Sequence, residues 1–435
     1  LESLRSFAGL GFKDCPDEWD APFKPTGGSE YFFWPLLTDL MPWQHSGVQA
    51  KRTWPIGATV EVLRERWRQL LAASDRSTAL KETRDRKTTS RVDALFAPSA
   101  EELTSIARLD RDAQPETIVR YGYRSFDRHY LIADNRIADY LRPDLWHTVS
   151  ASQLFFASQF SQPLGSGPAL TTCAEVPDLD FFRGSYGAKN IFPFYRDAEA
   201  KYANLHPELL SILAAYHGQP VSPEDFAAYL YGILAQPAFT ERFHGELASR
   251  ELRLPLTRDA ALFQSVAVIG RELLYLHTYG ERFAADQTWP PPTVKCLKAV
   301  PAGQLPENFN YDGVARVIRV DSGEFGPVDV GVWEYEVSGL KVVQSWLGYR
   351  MRNRKGKKSS PLDDITPTGW NSDYTSEFLR LLNLLTRTLA LHPRQAELLD
   401  DILCGSLFDA DELPPVPPQW RKAPTTHAAQ GSLDV

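Results

Sequence analysis

The spacing of the apolar residues changes near residue 204, and this change is the strongest constraint on the fold. Before it, short apolar runs are separated by glycine, proline and serine, as at residues 154–157, 169–173 and 190–195. Such runs predict strands of an irregular sheet. After it, leucines and aromatic residues recur at helical spacing. The pattern predicts an α+β fold in which irregular mixed sheet elements accompany helical-bundle segments.

Local start and stop signals predict the individual helices. Thr59, Ser222 and Asp259 are suitable N-caps, Pro223 suits a first helical position, and Gly218 suits a helix end. Further helices are predicted over residues 99–106, from near residue 338, and through the leucine-rich run 378–385. In the same region, residues 314–320 alternate as a strand, and we expect residues 328–337 to pair with them across the glycines at 323 and 326.

One stretch, residues 121–146, is unusually rich in arginine. An aromatic run, the dipeptide Asp134-Asn135 and a second apolar run predict a strand, a turn and another extended piece. Arg124, Arg128 and Arg136 are candidate partner-binding residues. A half-buried hairpin with a solvated basic face explains the same pattern, and both interpretations stay open.

Composition excludes several classes of protein. With 435 residues, 43% of them hydrophobic and 12% aromatic, the chain can form a sizeable core, so wholesale disorder is excluded. The net charge of −8 argues against coating nucleic acid by bulk charge, although it allows a local basic site. The four cysteines are far apart, which favours reduced thiols in a cytoplasmic protein. We find no membrane-span or signal-peptide pattern. Because the first residue is Leu1, we expect the chain to be a fragment.

Two basic regions are candidate nucleic-acid contacts. Residues 51–91 contain eleven lysines and arginines against five acidic residues, and their candidates are Lys51 and Arg52. The stronger signal is a run without any acidic residue between Val337 and Leu362. Cations in a loop can contact several phosphates, and arginine can pair with guanine, but solvated basic surfaces have the same composition. The candidates in this run are Arg350, Arg352, Arg354, Lys355, Lys357 and Lys358.

Catalytic motifs are absent from the sequence, and we assign no catalytic or metal-binding residue. There is no phosphate-binding Gly-x-x-x-x-Gly-Lys loop, no Cys-x-x-Cys, no His-Glu-x-x-His and no Asn-Pro-Pro-Tyr. One rival to a non-catalytic role in DNA recognition is a magnesium nuclease that uses Asp178, Glu199 and Lys201, in a loose Pro-Asp…Glu-x-Lys arrangement. A second rival is a protein-interaction scaffold without DNA affinity.

Several segments, in the same order along the chain, resemble the C-terminal specificity region of type ISP restriction–modification enzymes. Those enzymes combine nuclease, translocase, adenine methyltransferase and target recognition in one polypeptide. No single motif is diagnostic, and the likeness covers most of residues 30–400. The segments that carry it are residues 123–136, 142–146, 47–56, 190–195, 223–231, 237–243, 253–256 and 338–347.

The resemblance implies a target-recognition-domain-like fold and a role in reading double-stranded DNA. A linker that ends at Pro115 predicts the main boundary, so the resemblance makes residues 1–115 a connector from the methyltransferase side and residues 116–412 the specificity domain. The Pro-rich composition of residues 413–435 predicts a disordered tail. The chain would position DNA for adenine methylation and cleavage by domains outside it. Those domains, including an upstream methyltransferase domain of the same polypeptide, would bind S-adenosylmethionine, ATP and magnesium. The resemblance assigns no base-reading residue.

Overall fold

The computed structural model describes residues 29–96, 101–185, 190–285, 287–353 and 358–424. Its α-helices within these ranges are α1 (Leu37–Leu40), α2 (Val60–Ala72), α3 (Arg76–Leu80), α4 (Pro143–Trp146), α5 (Leu209–His217), α6 (Pro223–Leu234), α7 (Pro237–Arg242), α8 (His244–Leu247), α9 (Ala260–His277), α10 (Val330–Trp333), α11 (Val342–Gly348) and α12 (Ser372–Leu403). The strands are β1 (Ile56–Gly57), β2 (Ile118–Arg124), β3 (Asp127–Ile132), β4 (Phe155–Ser158), β5 (Thr171–Cys173), β6 (Asn190–Pro193), β7 (Lys295–Lys298), β8 (Phe309–Asp312), β9 (Val317–Val320), β10 (Gly323–Gly326), β11 (Glu336–Val337) and β12 (Leu340–Lys341).

The strands form four small sheets, in which every pair of named strands is antiparallel. Their orders are β1-β3-β2, β5-β4-β6, β7-β10-β9-β8 and β11-β12. Helices α6 and α9 pack closely against each other, and α12 packs on both. This combination of small irregular sheets and a helical group confirms the predicted α+β class. Among the described residues, no helix is both long enough and apolar enough to cross a membrane.

The predicted helix caps are confirmed. Thr59 accepts a hydrogen bond from the Val62 amide at the start of α2, and Asp259 accepts one from the Leu262 amide at the start of α9. Ser222 and Asp225 form a reciprocal capping box at α6. These side chains satisfy amide groups that have no partner within the helix, which explains why the helices begin there.

Among the residues that the structure describes, the core contains two hydrophobic clusters. The larger one runs through β4–β6 and helices α6, α9 and α12, and most of its members are fully buried. The smaller one is centred on α2, where Leu63, Trp67 and Leu70 pack with Ile132 of β3 and with Leu362. The smaller cluster joins α2 to the arginine-rich hairpin and to the end of the C-terminal basic run.

The arginine-rich stretch contains a hairpin, and the predicted turn at Asp134-Asn135 follows it, with the Ile137 amide donating to the Asp134 carbonyl at 3.1 Å. Strands β2 and β3 are joined by Ser125-Phe126, and Asp134-Asn135 lies beyond the end of β3. Phe126 has a positive φ of 63°. The Tyr279 hydroxyl donates a hydrogen bond of 2.7 Å to the Phe126 carbonyl, and a contact from another part of the chain thus helps hold this turn.

Two predictions of local structure are wrong. The part of the 99–106 helix that the structure describes is not α-helical: residues 101–103 pair with residues 92–94, as in the 2.8 Å hydrogen bond from the Leu103 amide to the Val92 carbonyl. The partners of β9 are β8 and the glycine-bounded strand β10 rather than residues 328–337, which contain α10. A Cβ on Gly323 would lie 2.6 Å from Val300 Cγ2, so the close approach of this strand requires glycine.

The predicted boundary at residue 115 stays a prediction. Sheet β1-β3-β2 contains strands from both sides of that position. At the other end, Arg196 donates hydrogen bonds to the carbonyls of Trp420 (2.8 Å) and Lys422 (2.9 Å). The structure thus gives residues 414–424 of the predicted tail specific contacts, whereas residues 425–435 lie outside the described residues.

Candidate nucleic-acid interface

Arg350, the first residue of the C-terminal basic run, is buried. Its Nη2 lies 2.9 Å from Asp127 Oδ1 in β3, and the two side chains are 1% and 2% exposed. Its Nη1 donates to the Trp346 carbonyl at 3.0 Å, and the guanidinium lies 3.7 Å from the centre of the Trp346 ring. Burial alone would raise the pKa of Asp127, but the charges of Arg350 and His129 lower it to about 2. Arg350 therefore holds the run to the hairpin and is not exposed to a ligand.

The arginines of the β2–β3 hairpin are also paired with carboxylates. Arg124 Nη1 lies 2.8 Å from Asp178 Oδ1, and both side chains are buried. Arg128 Nη1 lies 2.6 Å from Glu281 Oε1, and the Arg128 side chain is largely covered. Beyond the hairpin, Arg136 lies along the Asp134 carboxylate, with Nη2 2.7 Å from Oδ2. Removing these arginines would leave buried carboxylates without partners at Asp178, at Asp134 and at Glu175, whose Oε1 lies 3.4 Å from Arg128 Nη1. The three arginines are therefore structural residues.

Lys51 and Arg52 begin the other basic region, and they differ in exposure. Arg52 is buried, and its Nη1 lies 2.6 Å from Asp139 Oδ1. Lys51 is partly exposed, and its Nζ lies 3.1 Å from Asp85 Oδ2. Of these two candidates, only Lys51 could exchange its present partner for a phosphate without uncovering a buried charge.

The cations that the structure leaves exposed in the C-terminal run are Arg352 and Lys358. Arg352 pairs with Glu307 and Lys358 with Asp364, and all four side chains are more than half exposed. Exposed pairs of this kind contribute little to stability, which makes them easy to exchange for a phosphate contact. Three further candidates lie outside the described residues and stay predictions: Arg354, Lys355 and Lys357.

The interface segment, which we define as residues 350–358, is held at both ends. At its start, besides the buried Arg350, the Arg352 amide donates to the Pro306 carbonyl at 2.8 Å. Just after its end, Asp363 Oδ2 accepts hydrogen bonds of 2.7 Å from the Ser359 amide and from the Thr53 hydroxyl. The exposed cations Arg352 and Lys358 therefore lie beside fixed points of the fold.

The rival nuclease constellation is not favoured by the geometry. The Asp178 carboxylate accepts the Tyr121 hydroxyl at 2.6 Å and pairs with Arg124, so its oxygens already have partners. Glu199 lies in an exposed turn after β6 rather than on a strand, and Lys201 is exposed beside it. In the part of the chain that the structure describes, no three His, Cys, Asp or Glu side chains are grouped to hold a metal ion.

Reasoning from sequence missed the carboxylates that neutralise the arginines. For Arg136 the signal was local, because Asp134 is two residues away. For Arg350 and Arg52 it was not, because Asp127 and Asp139 lie 223 and 87 residues away in the chain. The sequence identified the density of cations, whereas their burial depends on tertiary contacts.

Three solved structures share the fold, each at a sequence identity under 20%. The ATP-dependent Type ISP restriction–modification enzyme LlaBIII bound to DNA has a TM-score of 0.56 and 17% identity over 87% of this chain and 23% of that one. A nuclease-deletion mutant of the Type ISP enzyme LlaGI with a DNA substrate mimic has a TM-score of 0.51 and 16% identity, over 86% and 29%. The DrdV–DNA complex has a TM-score of 0.57 and 15% identity, over 88% and 39%.

The chain thus corresponds to 23–39% of the length of these enzymes. No curated protein sequence matches it significantly. The family described as the Type ISP C-terminal specificity domain matches residues 39–381, well over half of the chain. This range includes both basic regions and the β2–β3 hairpin. The chain belongs to the family of Type ISP C-terminal specificity domains.

Proposed function

We propose that this chain is the DNA target-recognition module of a restriction–modification enzyme. The observation that carries the proposal is the family match over residues 39–381, in a chain whose fold is shared with three DNA-bound enzymes. The module would hold duplex DNA so that other domains of the same polypeptide methylate an adenine or cleave the strands. A methyltransferase domain upstream is the expected covalent neighbour.

Cofactors are assigned to those other domains. S-adenosylmethionine, ATP and magnesium would serve methylation, translocation and cleavage, and none of these is assigned to a residue of this chain. We propose a cytoplasmic location, which is supported by the cysteines that the structure describes: Cys173, Cys296 and Cys404 are free thiols.

The interface segment supplies the phosphate contacts in this proposal. Arg352 and Lys358 are exposed, and their carboxylate partners are exposed as well, so a phosphate can replace Glu307 or Asp364 at small cost. Each neutralised phosphate releases counterions, which makes binding weaken as salt rises. Arg354, Lys355 and Lys357 belong to the same predicted set.

The test is duplex binding measured by fluorescence anisotropy between roughly 50 and 200 mM salt. We expect the double variant R352Q/K358Q to lower the slope of log K against log salt by about 2, because each phosphate contact contributes about 0.9. The matched control is R242Q/R394Q, which removes two exposed cations that are also paired with carboxylates, Asp400 and Glu397. The control should keep the slope of the unmodified chain.

Two results would count against the proposal in different ways. If the unmodified chain shows no affinity for duplex DNA even at low salt, the recognition role is wrong, and a stable protein partner would then favour the scaffold hypothesis. If the chain binds and R352Q/K358Q has an unchanged slope, the described cations of the interface segment do not contact DNA. The tests of Arg354, Lys355 and Lys357 use the same assay, with one glutamine substitution at a time.

A further inference from the structure

A second exposed set of cations lies on the loop of residues 81–91, which we call the 81–91 loop. It follows α3 and has no helix or strand of its own. Lys81, Arg84, Lys87 and Arg91 are all exposed; the Arg84 side chain is 91% exposed, with its Nε 3.3 Å from Asp85 Oδ1 in a surface contact that costs little to exchange. The carboxylate nearest to Arg91, on Glu102, is 3.9 Å away across the surface. These four side chains are therefore available to a ligand.

The two acidic residues of the loop are bonded to the protein. Asp85 Oδ2 accepts hydrogen bonds from Lys51 Nζ (3.1 Å) and from the Tyr140 hydroxyl (2.9 Å). These bonds, that of Lys51 first, lower the pKa of Asp85 to about 2, so it stays ionised. Glu82 Oε1 accepts hydrogen bonds from both the amide (2.8 Å) and the hydroxyl (2.9 Å) of Thr88. The carboxylates are thus used to fold the loop, and its exposed side chains are predominantly cationic.

The buried guanidinium of Arg52 fixes the path of the loop. It donates hydrogen bonds to the carbonyls of Leu80 (2.9 Å), Lys81 (2.8 Å) and Arg86 (3.2 Å), while Asp139 neutralises it at 2.6 Å. A loop that is ordered before its ligand arrives loses less conformational entropy on binding. Arg52, predicted as a DNA contact, acts here as a residue that positions other cations.

The 81–91 loop and the interface segment are attached to adjacent residues of the fold. Arg52 holds the loop, and the next residue, Thr53, bonds to Ser359 (amide to Oγ, 3.0 Å) and Asp363 just beyond the interface segment. Consecutive Cα atoms are about 3.8 Å apart. Because the two basic elements are attached to neighbouring residues, both can contact the same extended polyanion.

We infer that the 81–91 loop binds the sugar-phosphate backbone of duplex DNA through Lys81, Arg84, Lys87 and Arg91. This inference rests on the proposed function, and it assigns contacts outside residues 350–358. The geometry favours backbone contact over base reading, because long flexible cations spread along a surface loop match regularly spaced phosphates. The loop would therefore add affinity for all duplexes equally.

The test is the variant K81N/R84Q/K87Q/R91Q, compared with a control of equal charge change, K201Q/R242Q/R394Q/K422Q. Asparagine is used at Lys81 because the backbone there has a φ of 61°, which asparagine tolerates. We expect the loop variant to lower the salt slope by about 3 to 4, at about 0.9 for each phosphate. The target sequence is first found by selection from random duplexes. The ratio of the affinity for this target to the affinity for unrelated duplexes should then be the same in the loop variant as in the unmodified chain. The control should keep both values.

The outcomes separate this inference from the function on which it rests. If the unmodified chain binds no DNA, both fall. If it binds and the loop variant keeps its slope, the inference is overturned while the proposed function stands. A loss of the target preference together with the slope would also overturn it, because the loop would then read bases. Should the fourfold variant fail to fold, K87Q alone decides the matter: a slope lower by about 1 supports the inference, and an unchanged slope overturns it.

Discussion

Replacing Arg350 by methionine tests whether this residue is structural or binds DNA. Methionine keeps much of the length of the side chain but removes the charge, so Asp127 keeps a buried carboxylate whose strongest partner is gone. Removing one partner of a buried ion pair costs about 3 to 5 kcal/mol. Losing the guanidinium over Trp346, 3.7 Å from the ring centre, acts in the same direction. We expect the free energy of unfolding to fall by about 4 kcal/mol.

A double-mutant cycle separates the ion pair from the packing around it. The variant R350M/D127L has no buried charge at either position, and such apolar replacements are often neutral. We therefore expect it to recover at least about 2 kcal/mol relative to the sum of the two single variants. The assay is urea denaturation at pH 7, followed by tryptophan fluorescence and extrapolated linearly to water. A loss below about 1 kcal/mol in R350M, or additive losses in the double variant, would refute the assignment of a buried, coupled pair.

The same substitution makes a claim about DNA. Because the Arg350 side chain is only 1% exposed, folded R350M should bind duplex DNA with the salt slope of the unmodified chain. A slope lower by about 1 would mean that Arg350 neutralises a phosphate after all. The measurement therefore distinguishes a residue that holds the interface segment from a residue that belongs to its binding surface.

Two further predictions concern the helical group. In Gly270→Ala, the new methyl would lie 1.8 Å from the Ala228 carbonyl oxygen, so α6 and α9 must separate. We expect the free energy of unfolding, measured by urea denaturation, to fall by about 1 to 3 kcal/mol. The control Gly245→Ala, whose new methyl has nothing within 4 Å, should lower it by less than about 1 kcal/mol. Burial lowers the pKa of His277 to about 3, so below pH 6.5 the unfolded chain binds a proton that the folded chain does not, and its contribution to the free energy of unfolding falls by up to about 1.4 kcal/mol per pH unit. His277→Gln should remove that part of the pH dependence between pH 6 and 4, and parallel curves for the two proteins would contradict it.

The elements that sequence predicted well are those fixed by their own residues. The N-caps Thr59, Ser222 and Asp259 accept hydrogen bonds from amides two or three residues ahead, so their effect requires nothing distant. The three strands 155–158, 171–173 and 190–193 are almost entirely buried, and continuous apolar runs between turn residues predict such strands. In these cases local chemistry and tertiary packing favour the same structure.

The errors occur where a distant contact determines the local conformation. Asp134-Asn135 does form a turn, but the two strands of the hairpin are joined earlier, at Ser125-Phe126, where the Tyr279 hydroxyl, 153 residues away, donates to the Phe126 carbonyl. The β10 strand was taken for a turn because glycines bound it. Gly323 is needed there because Val300 lies too close for a side chain. A glycine permits either a turn or a close approach, and the sequence alone does not distinguish the two.

Local charge balance would have separated the buried arginines from the exposed cations. Residues 121–146 contain four arginines and four aspartates, so this stretch has no excess of positive charge despite its density of arginine. Arg124, Arg128 and Arg136 each meet a carboxylate in the fold, although only Arg136 finds its partner within the stretch. A neutral, aromatic-rich stretch is therefore able to bury its arginines, because the fold can match each charge.

The two remaining basic elements lack that balance. Residues 350–358 have six cations and no acid, and residues 81–91 have five cations and two acids. Arg350 pairs with Asp127, and Arg86 donates a hydrogen bond to the Asn135 carbonyl. Without these two arginines, each basic element still has more positive charges than the adjacent chain can neutralise. Carboxylates elsewhere in the fold are paired with buried arginines, so the excess positive charge of these two elements can attract an external anion. This asymmetry, rather than the number of arginines, favours residues 81–91 and 350–358 over the hairpin as the DNA-binding surface.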